Sequence, residues 1–182
     1  GIDLGLKDVA TCSDGSKMEE GRFYRDLEDD LAIAQRARNK KRVKAIHAKI
    51  KNRRKDAQHK FSRKLVNQYG EIFVGDVSST KLVKTKMAKS VLDAGWSQLK
   101  TMLEYKCAHA GIVFKVVNEV HTSRTCSSCG SRSGPQGVNG LRIRSWGCVD
   151  CGAVHDRDVN AALNILSLGA GRCPQAVGIP VL

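Results

Sequence analysis

The chain has 182 residues, 41% of them hydrophobic, enough for one ordinary domain and a small appended module. No run of about 18 apolar residues is present to cross a bilayer, and no basic-then-apolar signal opens the chain. The formal charge of +13 is concentrated: between Leu31 and Lys64, fourteen Lys and Arg stand against one acid, Asp56. That density goes beyond what solubility needs and reads as a nucleic-acid footprint.

Residues 1–12 read as a strand, and "SDGSK" (13–17) as a turn with Asp-Gly as its signal. "MEEGRFYR" reads as one or two short returning strands. From about Asp26 to Tyr69 the apolar residues Leu27, Leu31, Ile33, Ala34, Ala37, Val43, Ile46 and Ile50 recur mostly at three- and four-residue steps. That spacing predicts a long helix or helical pair with the basic run outside. Its candidate phosphate contacts are Arg36, Arg38, Lys40, Lys41, Arg42, Lys44, Arg53 and Arg54.

"EIFVGDVSS" (71–79) reads as a strand and "KTKMAKSV" (84–91) as a loop. A second helix is predicted over about 94–110, with Gly111 as its C-cap. "IVFKVVNEV" (112–120) reads as a third apolar strand, and "DVNAALNILSLG" (158–169) as a short closing helix. The tail beyond it has no clear period. The order predicts an α/β fold with a mixed sheet.

The seven cysteines are odd in number, and four form two CxxC pairs. This argues for thiol ligands in a reducing compartment rather than a disulfide framework. The expected compartment is cytoplasmic, or nuclear in a eukaryotic source. Cys126 and Cys129 are separated from Cys148 and Cys151 by 18 residues, a strong signal for a four-thiolate zinc ribbon. Four thiolates leave no open coordination position, so that zinc is expected to be structural. Arg124, Arg132, Arg142 and Arg144 lie near enough in sequence to offset its charge, and Arg124 also to touch phosphate. Cys12, Cys107 and Cys173 are expected to be thiols without a role.

Three acids sit at element junctions. Asp3 interrupts the first apolar run, Glu119 ends the third strand, and Asp158 begins the last helix. Converging carboxylates suit two Mg²⁺ ions, which take hard oxygen ligands and serve phosphodiester cleavage. Each acid also has a plainer reading: Asp158 as a helix N-cap, Glu119 as a surface acid, Asp3 as the partner of a buried Arg.

"GIDLGLKDVATCSDG", "TSRTCSSCG" and "WGCVDCGAVHDRDVNAALNIL" together resemble the RuvC-like nuclease half of the transposon-encoded TnpB (OrfB) family, related to type V CRISPR effector nucleases. The resemblance implies an RNase H-like mixed sheet flanked by helices, with an inserted four-cysteine zinc ribbon. It divides the chain into a nuclease core over 1–121, the ribbon over 122–156, the last core helix over 157–169 and a tail over 170–182. It implies a metal-dependent DNA endonuclease using two Mg²⁺ (or Mn²⁺) ions and one zinc. DNA is the implied substrate, a guide RNA the implied partner, and an upstream recognition half lies outside this sequence. Asp3 matches the family's first catalytic acid and Asp158 its last. The middle Glu, usual on the strand that here reads "IFVGDVSS", is replaced by Gly75. Asp76 is adjacent, but alternation along the strand turns it away from Asp3. Glu119 is therefore the expected substitute, with Asp76 or a catalytically inactive, nucleic-acid-binding regulator as the alternatives.

Overall fold

The computed structural model describes residues 1–19, 21–77, 94–140 and 142–171, apart from the side chains of 138 and 139. The expected loop at 84–91, Cys173 and the tail beyond 171 lie outside the described residues. The chain forms two compact units, one from residues 1–18, 70–77 and 113 onward, the other from residues 19–69 and 78–112.

The first unit is built on a five-stranded sheet ordered β3-β2-β1-β4-β5, with β1 Ile2–Leu4, β2 Asp8–Cys12, β3 Lys17–Glu19, β4 Glu71–Gly75 and β5 Val113–Val117. β1 runs antiparallel to β2, and β4 runs parallel to both β1 and β5. This is the mixed sheet that the sequence predicts. The first twelve residues, however, are two strands and not one. The Gly5 amide bonds back to the Val9 carbonyl at 3.3 Å, and the chain reverses over Gly5–Lys7. The last helix, α4 Arg157–Gly169, lies against β1, β2, β4 and β5, with Ala161, Ala162 and Ile165 buried. β5 is the outer strand, and its Val113 and Val116 are exposed.

Register places the first acid. Ile2 pairs with Val74, so residues 3 and 75 follow side by side, and Gly75 pairs with Val117. Asp3 pairs with Thr11 on its other flank. One row across the sheet therefore carries Thr11, Asp3, Gly75 and Val117, with successive side chains of each strand on opposite faces.

The cysteine segment follows β5 within this unit. It contains one helical turn, Gly137–Gly140, and a two-stranded antiparallel ribbon of β6 Ser145–Gly147 and β7 Val154–Asp156.

The second unit is helical: α1 Glu28–Arg36, α2 Lys40–Gln68 and α3 Trp96–Ala110. The predicted 26–69 helix is a pair. Arg38 adopts a left-handed φ of 51°, and the Asn39 side chain accepts the Arg42 amide at 3.0 Å to start α2. Leu27, Leu31, Ala34, Ile46 and Ile50 form the core between α1 and α2. α2 is tied to the start of α3 by the Gln58 amide, which donates to the Ala94 and Gly95 carbonyls at 3.0 Å each. Gly111, at φ 67°, caps α3 as the sequence predicts.

Candidate active site and cysteine cluster

Asp3, Glu119 and Asp158 come from three separate places in the first unit, and the charges of the latter two act on Asp3. Burial raises the Asp3 carboxyl from the usual range to about 8, and repulsion from Glu119 and then Asp158 adds to it. Arg157 and Arg144 oppose the rise. Asp76 is exposed and is not among the charges acting on Asp3.

Glu119 lies two residues beyond β5, and its side chain folds back over β4. A Cβ built on Gly75 would stand 2.5 Å from Glu119 Oε2, 3.4 Å from Glu119 Cβ and 3.0 Å from Ile165 Cδ1. The space that a side chain at 75 would need is thus filled by the carboxylate of 119. The turn after it is fixed by Thr122, whose amide and hydroxyl both donate to the Glu119 carbonyl, at 3.1 and 2.8 Å.

Asp158 is not the N-cap of α4. That role belongs to Asp156, whose Oδ1 accepts the amides of Asp158 and Val159 at 3.0 Å each. With the helix end satisfied by its neighbour, the Asp158 carboxylate stays available for other groups. Arg144 Nη1 donates to both of its oxygens, at 3.1 and 2.8 Å. Sequence spacing assigned Arg144 to the thiolate charge; in the fold it holds an acid.

Two residues that the sequence reading passed over connect these parts. Asn160 and Asn164, one helical turn apart on α4, are buried. Both donate to the Thr122 and Thr125 carbonyls, at 2.6–3.2 Å, and Asn160 Oδ1 accepts the Ser127 amide at 2.9 Å. They clamp the entry to the cysteine segment onto the helix that carries Asp158. The available signal was two amides at i and i+4 on an otherwise apolar helix face, positions where a polar side chain must find partners.

Cys126, Cys129, Cys148 and Cys151 bring their sulfurs within 4.8 Å of one another, a set able to hold a metal ion. Cys126–Cys151 and Cys129–Cys148 separations of 3.7 and 3.6 Å match the roughly 3.8 Å edge of a tetrahedron with about 2.3 Å zinc–sulfur bonds. Both knuckles repeat the same turn: Gly130 and Gly152, at φ 80° and 72°, donate to the Cys126 and Cys148 carbonyls at 2.8 and 2.9 Å. A hydrogen bond from Ser133, then backbone amides, hold the Cys148 thiol down at about 6. The Ser131 backbone pulls Cys129 down, but burial and the neighbouring sulfurs outweigh it and push that thiol to about 12. A further group, unanticipated from sequence, is buried His155. Its Nε2 lies 3.0 Å from Cys126 Sγ, and its ring packs on Trp146 at 4.8 Å between centroids.

Of the candidate phosphate contacts in the second unit, Arg36, Arg38, Lys40, Lys41, Arg42, Lys44 and Arg53 are exposed. Arg54 is half-buried against Gly95, and Arg124, in the first unit, is half-buried too. Cys12 and Cys107 are buried thiols. Among the described residues, no helix is long and apolar enough to cross a membrane.

Comparison with known proteins gives two family matches: residues 1–86 to OrfB_IS605, described as "Probable transposase", and residues 96–165 to "Cas12f1-like, TNB domain". A Streptomyces pristinaespiralis protein named "Putative RNA-guided DNA endonuclease" is 40% identical over 93% of this chain and 44% of its own length. InsQ of Escherichia coli K12, with the same description, is 26% identical over 93% of this chain and 48% of its own. The chain thus spans about half the length of these relatives. Cas12f1, solved with its sgRNA and target DNA, superposes with a TM-score of 0.68 over 91% of this chain and 48% of its own, at 20% identity. At that identity the likeness concerns the fold. Two adjoining family matches and relatives that align over nearly the whole chain lead to one conclusion: the chain belongs to the TnpB/OrfB (IS605) transposase family.

Proposed function

We propose that this chain is the cutting half of an RNA-guided DNA endonuclease, with Asp3, Glu119 and Asp158 as the ligands of two Mg²⁺ (or Mn²⁺) ions. The observation that carries the reading is the Glu119 carboxylate seated where a side chain of residue 75 would begin. It supplies from a neighbouring segment the acid that Gly75 cannot. The donor set fits the ions: three carboxylates offer hard oxygens only, and their mutual repulsion, felt in the raised Asp3, calls for cations. When bound, such ions supply an activated water and neutralise charge at the leaving oxygen.

The chain's own residues do the rest. Asp3, central in the sheet row, fixes the position about which the other two acids close. Arg144 orients Asp158 through both oxygens until a cation competes for them. Asn160 and Asn164 keep the Thr122–Ser127 segment on α4, so the ribbon over 122–156 and its one structural zinc brace the acid-bearing helix. The exposed cations of α1 and α2 track phosphates, with binding that weakens steeply with salt.

The test is cleavage of guide-matched DNA by the complete protein with Mg²⁺ or Mn²⁺, comparing wild type with Asp3→Ala and Glu119→Ala. Both variants are expected to lose cutting while retaining nucleic-acid binding. Cutting at the wild-type rate by either variant removes that acid from the site. Gly75 also favours a second reading, an inactive nucleic-acid-binding regulator; a wild type that binds but never cuts would establish it.

A further inference from the structure

A groove within the helical unit runs between α2 and α3, with no residue in common with the acid site. It consists of two adjoining hollows of about 590 and 390 Å³ that share His59 and Tyr105 as walls. The larger hollow is lined by Lys106, a lysine only 3% exposed. The Lys106 ammonium donates hydrogen bonds to the His59 carbonyl at 2.9 Å and the Ser62 hydroxyl at 2.6 Å. Neither acceptor carries charge. Burial lowers this ammonium's pKa first, and the one charge acting on it is another cation, Arg63. Lys55 adds a further positive wall. The neighbouring acid, Asp56, is bound to Lys60 at 2.7 Å on the exposed side. A buried cation whose acting charge is another cation is costly unless an anion faces it.

The remaining walls indicate which anion. Tyr105, 38% exposed, borders both hollows and offers a surface on which an unpaired base can stack. Beside it lie neutral hydrogen-bonding groups, Gln98 and Thr101. The Thr101 hydroxyl donates to the Ser97 carbonyl at 3.1 Å and keeps its lone pairs for an incoming donor. A ribose 2′-hydroxyl is such a donor, and DNA lacks it. We propose that the α2–α3 groove holds successive nucleotides of a single-stranded RNA, with phosphates at Lys106–Arg63 and Lys55 and a base on Tyr105. This rests on the nucleic-acid reading above and joins Lys55 and Arg63, two cations of the basic run on α2, to Tyr105 and Lys106 of α3.

The experiment measures binding of a fluorescent 12-nucleotide single-stranded RNA, and DNA of the same sequence, across a salt series. The variants are Lys55→Ala/Arg63→Ala, Tyr105→Ala, Tyr105→Phe, and Arg36→Ala/Arg38→Ala outside the groove. Loss of two phosphate contacts is expected to reduce the steepness of log K against log salt by about 1.4, at about 0.7 per phosphate for a single strand. Tyr105→Ala is expected to weaken RNA binding roughly tenfold with the slope unchanged, and Tyr105→Phe to restore it. DNA is expected to lose less in each case. Equal losses for DNA overturn the RNA assignment, and displacement by polyglutamate as readily as by RNA overturns nucleotide recognition. If the groove variants bind like wild type while Arg36→Ala/Arg38→Ala binds weakly, the groove proposal fails and the nucleic-acid reading stands. If wild type binds neither strand, both fall together.

Discussion

A single methyl group at position 75 is a sharp probe of the acid site. In Gly75→Ala the new Cβ falls 2.5 Å from Glu119 Oε2 and 3.0 Å from Ile165 Cδ1, so the carboxylate must move. Displacements of about an ångström at a reacting centre can cost about 10²-fold. Single-turnover cleavage by the complete protein is expected to drop by that order; an unchanged rate would detach activity from the Glu119 position. Asp3 supplies a second prediction, through protons. Its carboxyl titrates near 8 when folded, against 3.8 as a free side chain. Between those values the native state holds a proton that the unfolded chain has released. Metal-free stability is therefore expected to fall as pH rises from about 4 to about 8. Asp3→Asn should flatten that dependence and Mg²⁺ should offset it; urea unfolding at pH 5 and pH 8, with and without Mg²⁺, provides the check. Asp3 was legible from the sequence because a carboxylate inside an apolar strand demands a reason. Glu119 was legible from its place at the end of the third strand, and the gap at 75 then favoured it over Asp76. That its side chain folds back over β4 depends on the turn at Thr122, which no local pattern announces.

At the level of elements, α4 does several tasks through its polar residues. Asp156 caps it, the Asp158 charge acts on Asp3, and Asn160 and Asn164 clamp the ribbon entry. Replacing Asp156 by Ala should cost about 1 kcal/mol, the usual value of an N-cap. Asn160→Ala takes the acceptor from the half-buried Ser127 amide and leaves the Thr122 and Thr125 carbonyls with Asn164 as their only clamp donor. Leaving such groups unsatisfied costs about 1–3 kcal/mol, so denaturant midpoints should fall more for Asn160→Ala than for Asp156→Ala. The reverse order would mean that the clamp contributes little. The strand and helix types were readable in the sequence, but two breaks were not. The reversal at Gly5–Lys7 is marked only by Gly5 and the charged Lys7–Asp8 pair, inside residues that read as one strand. The α1–α2 break falls at Arg38 and Asn39, where a non-glycine residue takes a left-handed φ and no Pro or Gly marks the place.

For the whole molecule, the cysteine cluster predicts dependence on metal. One zinc per chain is expected, and its removal by a chelator should expose residues 122–156 to protease, since the site rather than a large apolar core organises that segment. Resistance of that segment after complete chelation would refute a structural metal. His155→Ala is expected to lower zinc affinity about 10–100-fold, as losses of groups that hydrogen-bond a ligand do.

The outer position of β5 has a consequence for handling the chain. Edge amides and carbonyls beside exposed Val113 and Val116 form a template on which a second copy can lay the same strand, extending one sheet through many molecules. Lys115, exposed between those valines, acts as a gatekeeper, because stacked copies would bring like charges together. Lys115→Val should lower the protein concentration at which light scattering rises, and salt should shift wild type in the same direction by screening that repulsion.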